Sequence, residues 1–401
     1  MSEIKVNSIK GVGASVAALS INNTDGTCTA NITSVGGAPL SNRNLSINGA
    51  DMMVAQRGTS TTGLQNTGGI YTIDRFSHRR NGTWSNAQFK HEQVDSGTGL
   101  FKKALKVTCT TAEGSGATGD EGVFIGHYLE KQDTIAAFGD GSAEAKSFTI
   151  SFYVKASIAT TYVLHLTTHH LSTNKLIYKT FVVNSADTWE RKIITFPAIT
   201  NSVSTVDSTV ADNLMGYQIH WILDSAPGTK AVDTYQSGTG TYQMPTGVNP
   251  TGFANTLNAT FQLSGVQIEA GTVATDLEHK TFGQELSLCR RYCYVLEMPA
   301  NDFVESGTGF ANSDTVCRHF VQLPVAMRTN PSYTGTATAV KFYSQNQGAN
   351  FNANTFIFSA TPVKDNCLGV ALYATTSSIT AGQGGTLQAL ANGSMTFASE
   401  L

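Results

Sequence analysis

Between Ala259 and Tyr294 an alternating apolar strand passes through a turn into a short amphipathic helix, and this junction constrains the chain more than any other segment. Phe261 and Leu263 fall on one face of an extended backbone. Gly265 permits a bulge that shifts the register, so Val266 and Ile268 resume the apolar alternation beyond it. The strand ends at Gly271. Leu286, Cys289 and Cys293 then recur at spacings of three and four, with Glu278 and Glu285 acidic at the start and Arg290 and Arg291 basic at the end. That pattern predicts a helix of about two to three turns, with the chain extended again from about Tyr292. Everything before and after reads as β.

Composition supports that reading. Of 401 residues only 14% are charged, against about a quarter in an average soluble domain, and 38 are glycine. From about 41 to 280, short alternating strands are separated by Gly, Asn, Asp and Ser clusters, the signature of a β-sandwich. Phe148, Ile150, Phe152 and Val154 share one strand face; Met215, Tyr217, Ile219, Trp221 and Leu223 share another. Leu105, Val107, Cys109, Val123 and Ile125 add to the candidate core, and a jelly roll of about eight strands would close the sheets on each other. Residues 1–40 are too rich in Ala, Ser and Gly to build a core alone. They read as an oligomerisation segment burying Val6, Ile9, Val16, Leu19, Ile21 and Ile32 along a three-fold axis, with a disordered tail as the other possibility. Residues 281–296 form the linking helix and 297–401 a second β-domain.

Several function classes fall away. A net charge of −3 offers no basic field for nucleic acid, so His78-Arg79-Arg80 is read as a solvated loop or carboxylate partner. No apolar run is long enough to span a bilayer, and the N-terminus lacks the pattern of a secretory signal. The six cysteines are scattered and read as mostly buried free thiols. No catalytic motif with a nucleophile elbow, metal helix or phosphate loop is present. The close carboxylate pairs Asp120–Glu121 and Asp302–Glu305 lie in polar loops, where a solvated face is the ordinary explanation. Asp74, Asp120, Glu121, Asp140 and Glu269 are candidates for a structural calcium, although no metal and no cofactor are expected. His165 and His169 would stand about 13 Å apart along a strand, too far for one ion. Aromatic rings beside loops suit a pyranose better, and Trp84, Tyr128, Tyr235 and Tyr242 are the candidate glycan-binding residues. Trp189 and Trp221 sit in strands and are expected in the core.

The junction segment also resembles one that recurs in virion fibre and structural proteins of aquatic phages, where a similar strand, turn and helix follow a β-sandwich. The matching positions are Gly265, Val266, Gln267, Glu269, Gly271, Ala274, Thr275, Glu278, His279, Gly283, Glu285, Leu286, Cys289, Arg291 and Tyr292. An upstream block matches at Asn44, Asn48, Gly49, Gln56, Arg57, Gly58, Asp74 and Arg75, and the strands Phe148–Ser157 and Thr188–Pro197 look like inner strands of the same module. The resemblance spans about 41–300, with Asp276-Leu277 where the pattern carries Pro-Phe. It implies an all-β, jelly-roll-like phage tail fibre protein, non-enzymatic and homotrimeric. Such a protein is assembled in the host cytoplasm, attached through its N-terminus to a tail or portal protein, and presents carbohydrate-binding β-domains to a bacterial surface glycan. A capsid decoration or head-fibre protein, a tailspike depolymerase and a free carbohydrate-binding module are the alternatives.

Overall fold

A computed structural model of the chain describes residues 44–65, 68–238, 242–300, 309–335, 380–389 and 392–401, together with Thr24 and short strand backbones elsewhere. Near the N-terminus β1 (Ser8–Ile9), β2 (Leu19–Ile21) and β3 (Cys28–Ala30) form a small antiparallel sheet, and β4 (Ser34–Val35) pairs with β5 (Ala38–Pro39). Of the residues expected on a three-fold axis, Val6, Val16 and Ile32 lie outside the described residues, and Ile21 is 40% exposed in the single chain.

The sandwich consists of two six-stranded antiparallel sheets. The strands of sheet I are, in spatial order, β16 (Gln236–Ser237), β13 (Lys175–Val182), β12 (Thr161–Thr168), β15 (Met215–Ser225), β10 (Gly122–Glu130) and β7 (Phe76–Asn81). Sheet II runs β14 (Glu190–Phe196), β11 (Phe148–Ala156), β17 (Thr260–Ala270), β9 (Lys103–Thr111), β8 (Gln88–Asp95) and β6 (Ser60–Leu64). The all-β sandwich is therefore present, with twelve strands rather than about eight, because edge segments such as 60–64 and 236–237 add short strands with little apolar alternation to announce them. Phe148, Ile150, Phe152 and Val154 face Tyr217, Ile219, Trp221 and Leu223 across one continuous core, joined by Leu105, Val107, Cys109, Val123, Ile125, Phe261, Leu263, Val266 and Ile268. The bulge falls at Gly265: β17 pairs Gln267 with Ser151 and then Ser264 with Tyr153, and Gly265 takes φ +59° with the Tyr153 ring 2.6 Å from where a Cβ would stand. A side chain there would meet both left-handed strain and the ring.

Three expectations change. The 131–138 segment is helical: α1 (Lys131–Phe138) buries Lys131, Thr134 and Phe138 against β15 and stops at Gly139 in the left-handed conformation. Its apolar pattern is too weak to signal a helix; Phe138 stacking on Phe148 and Tyr217 holds it in place. His78-Arg79-Arg80 belongs to β7 and not to a loop, with His78 buried in the core and bonded to His91 at 3.0 Å. Trp189 is half-buried on the outside of sheet II, its indole N–H donating to the Ser96 carbonyl at 3.0 Å.

The linking helix, α2 (Phe282–Arg290), is shorter than 281–296, and Thr281 with Gln284 closes a reciprocal capping box at its start. Its buried residues are Glu285 and Cys289; Leu286 is only half-buried, and Cys293 already opens the next strand. That strand, β18 (Cys293–Met298), pairs with the last strand, β27 (Gly393–Ala398), which also pairs with β21 (Ser332–Gly335). A further sheet of seven strands orders β23 (Ala349–Asn352), β22 (Val340–Ser344), β26 (Gly384–Ala389), β19 (Gly309–Ala311), β20 (Val316–Gln322), β25 (Gly369–Thr375) and β24 (Thr355–Phe358). Cys109, Cys289, Cys293 and Cys317 are buried free thiols, while the side chains of Cys28 and Cys367 lie outside the described residues. Among the described residues no helix is long and apolar enough to cross a membrane.

Candidate functional site

Strands β10 and β15 are buried on both faces, so the outer face of sheet I cannot be an ordinary solvated surface. Pairing aligns its side chains in rows. One runs Thr180, Val163, Ile222, Phe124, Arg79; the next Tyr178, His165, His220, Gly126, Ser77; the third Leu176, Thr167, Gln218, Tyr128. The first row is apolar up to its edge, and the segment after β15 folds back to cover it, placing Met244, Val232, Tyr242 and Val248 against Phe124, Val163, Leu176, Tyr178 and Ile222. The cover is tied down by Gly228 N to Met244 O at 2.7 Å, Met244 N to Ala226 O at 2.8 Å and Ser225 Oγ to Tyr242 O at 2.7 Å.

The two polar rows lie beside that cover. Tyr242 stacks on Phe124 at 4.6 Å, stands edge-on to His165 and His220, and its hydroxyl donates to Gln218 Oε1 at 3.3 Å. His165 Nδ1 meets His220 Nδ1 at 3.4 Å, and Thr167 Oγ1 meets His165 Nε2 at 3.2 Å. The Tyr128 ring folds back over Gly126, where a Cβ would lie 2.5 Å from the phenol oxygen, and that oxygen bonds Ser77 Oγ at 3.1 Å and accepts from Arg79 Nε at 2.6 Å. Burial pushes the His165 ring down to about 3 and His220 well below its ordinary range, the neighbouring His165 ring adding to the latter. His169 is also lowered, first by burial. Both buried imidazoles are therefore neutral at physiological pH. At the far end His169 borders a cleft of about 320 Å³ lined also by Val210, Leu214, Met215, Arg328 and Leu401.

Two of the four candidate aromatics, Tyr128 and Tyr242, thus come together around His220, with His165 beside Tyr242 and His169 at the far end. Neither is an open loop platform: Tyr128 is 2% exposed inside β10, and Tyr242 is half-buried. Trp84 is corrected outright, because at 1% exposure it is part of the sandwich core and offers no face to a ligand. Tyr235 packs on the core from the edge, its hydroxyl bonded to the Pro197 carbonyl at 2.9 Å. The sequence reading missed Gln218 and His220, and took Arg79 for part of a solvated loop or a carboxylate partner. Gln218 and His220 could have been found by strand alternation, since they occupy the positions between Tyr217, Ile219 and Trp221.

The charged residues elsewhere serve the frame. Asp140 is buried, accepting from Tyr217 at 2.5 Å and lying 3.2 Å from His170 Nε2; Glu269 accepts from the Thr275 N–H and hydroxyl; Glu121 accepts from the Thr118 N–H at 2.8 Å. Among the described residues no three His, Cys, Asp or Glu side chains stand close enough to share a metal ion. Asp302 and Glu305 lie outside the described residues.

The residues that carry the fibre-protein resemblance do not line this face. They join the two ends of the sandwich. Asn44 receives Ile268 N at 3.0 Å and donates to Val266 O at 3.2 Å and, through its backbone N–H, to Glu278 at 3.1 Å. Asn48 N donates to Glu285 at 2.7 Å, and Gln56 donates to Asp74 at 2.5 Å and to the Cys293 carbonyl at 2.7 Å.

No known family profile and no curated protein matches the sequence. Among solved structures, a family 11 carbohydrate-binding module from Clostridium thermocellum bound to a mixed-linked β-glucan tetrasaccharide matches at 15% identity and TM-score 0.27, over 55% of this chain and 98% of that one. A sugar-binding protein from Bacteroides thetaiotaomicron matches at 10% identity and TM-score 0.29, over 57% of this chain and 100% of that one. The enzymatically active domain of tailspike protein 4 of bacteriophage CBA120 matches at 9% identity and TM-score 0.28, over 60% of this chain and 23% of that one.

Proposed function

We propose that the chain is a phage virion fibre protein that binds a bacterial surface glycan at the outer face of sheet I and leaves it chemically unchanged. The observation that carries the glycan part is the half-buried Tyr242 ring at the margin of the cover, stacked on the buried Phe124, edge-on to the buried His165 and His220, with its hydroxyl bonded to Gln218. An apolar ring patch bordered by hydrogen-bonding groups is the chemical complement of a pyranose, which has one apolar face and a hydroxyl rim. The virion part is supported by the motif shared with phage fibre proteins over about 41–300. In this reading the N-terminus attaches to a tail or portal protein, and three copies assemble so that weak sugar sites act together.

Tyr242→Ala is expected to weaken binding of the purified protein to host envelope glycan by about tenfold or more, and also to lower the melting temperature because the ring packs on Phe124, so binding is measured well below that temperature. Isothermal titration against extracted glycan measures it, and an unchanged affinity would remove this face from the function. Release of reducing sugar by the wild-type protein would establish a depolymerase instead. For the assembly, light scattering is expected to return three times the 42.6 kDa chain mass. A monomer mass sinks the trimer.

A further inference from the structure

Resting on that reading, we infer that the glycan is anionic, and that Arg79 takes an oxyanion carried by one of its sugars. Arg79 ends the apolar row beside Phe124, on the edge strand of sheet I and half-buried. Its Nε is fixed by the Tyr128 hydroxyl at 2.6 Å, its guanidinium lies 5.4 Å from the Tyr128 ring centroid, and Gly68 passes beside its stem with no side chain to cover it. Nη1 and Nη2 make no hydrogen bond within the described residues and neither is a buried unpartnered atom, so the end of the fork is open to solvent. That arrangement suits two oxygens of a carboxylate, sulfate or phosphate.

The rest of the face leaves this charge unbalanced. The neighbouring carboxylates are already engaged: Asp233 of the cover pairs with Lys179 at 2.8 Å, and Glu130 at the end of β10 pairs with Arg291 at 2.8 Å. No carboxylate pairs with Arg79 among the described residues, and His165 and His220 are neutral. A neutral glycan would leave a preorganised guanidinium without its strongest kind of partner. An acidic one completes it while the half-buried Tyr242 ring meets a sugar face.

The test titrates the full-length protein with three oligosaccharides: oligoguluronate for carboxylate, a carrageenan fragment for sulfate, and a laminarin fragment as the neutral control. The expected result is that one of the two charged probes binds about ten- to a hundredfold tighter than laminarin, with the preference falling as salt rises. Which charged probe wins identifies the oxyanion. Arg79→Gln is expected to abolish the preference and retain the weak neutral binding; Tyr128→Phe, which keeps the charge but frees Nε, is expected to reduce it partly. Thermal melts confirm that both variants fold. Laminarin binding as tightly as both charged probes, or a preference that survives Arg79→Gln, overturns the inference while leaving glycan binding intact. Failure of all three probes to bind overturns the glycan reading itself and this inference with it.

Discussion

Between pH 6 and pH 5 the sandwich is expected to lose on the order of 5 kcal/mol of stability, roughly 1 kcal/mol per pH unit for each of five buried histidines. Burial lowers His78, His127 and His165 to about 3, and lowers His91 and His220 well below their ordinary range. Below about pH 6.5 the unfolded chain binds protons on these rings and the folded chain does not. Stability from this source is therefore complete above pH 6.5 and is withdrawn progressively as pH falls towards about 3. Each ring has a defined place that a charge would disrupt: His78 and His91 share one bond, His127 stacks on Phe76 at 4.5 Å and bonds the Arg75 carbonyl, and His165 and His220 lie under Tyr242. Urea midpoints at pH 7, 6 and 5 measure the effect, with His220→Gln expected to flatten the slope by about one proton. Equal midpoints at pH 7 and 5 would show that the rings charge freely in the folded state.

These histidines also mark how far the sequence could be read. Alternation in β11, β15 and β17 located the core strands and the Gly265 bulge, because there one face is apolar and the register follows from period two. It failed where a strand is buried on both faces. Gln218 and His220 sit between core residues on β15, and only the cover from the 226–250 segment, which has no strand or helix period, makes their side of the sheet an interior. Trp84 was misjudged for the converse reason: a turn residue in a Gly- and Asn-rich stretch, it is carried inward by tertiary packing that no local pattern encodes. Helix α1 was missed because its first residue, Lys131, is buried through long-range bonds, its ammonium donating to the Asp207 carbonyl at 3.0 Å and its backbone N–H to Leu214 O at 2.8 Å. The T-x-x-Q capping box at Thr281 and Gln284 was legible, and would have placed the start of α2 within a residue.

Glu130→Ala is expected to destabilise the protein by about 3 kcal/mol and to uncouple the C-terminal sheets from the sandwich. Glu130 ends β10, is 1% exposed, and accepts from Arg291 Nε at 2.8 Å, Arg291 Nη2 at 2.9 Å and the Tyr292 hydroxyl at 2.5 Å. Burial alone would raise its carboxyl, but Arg291 and Tyr292 hold it below the ordinary range. The pair fixes the residues between α2 and β18, and the chain end closes on them: Arg75 lies over the Tyr292 ring at 3.4 Å and pairs with Glu400 at 2.8 Å, while Arg328 holds the Ser399 and Glu400 carbonyls. Alanine would strand a tyrosine hydroxyl inside the junction and leave Arg291 without its carboxylate. Arg291 keeps 31% of its side-chain surface in water, which places the loss at the lower end of the range for broken buried pairs. A double-mutant cycle with Arg291→Ala should return a coupling above about 1 kcal/mol. Urea unfolding of Glu130→Ala should split into two transitions, the C-terminal sheets leaving first. A single transition displaced by less than about 0.5 kcal/mol would mean that the other junction contacts, such as Arg75 with Glu400, and not the Glu130–Arg291 pair, set the coupling.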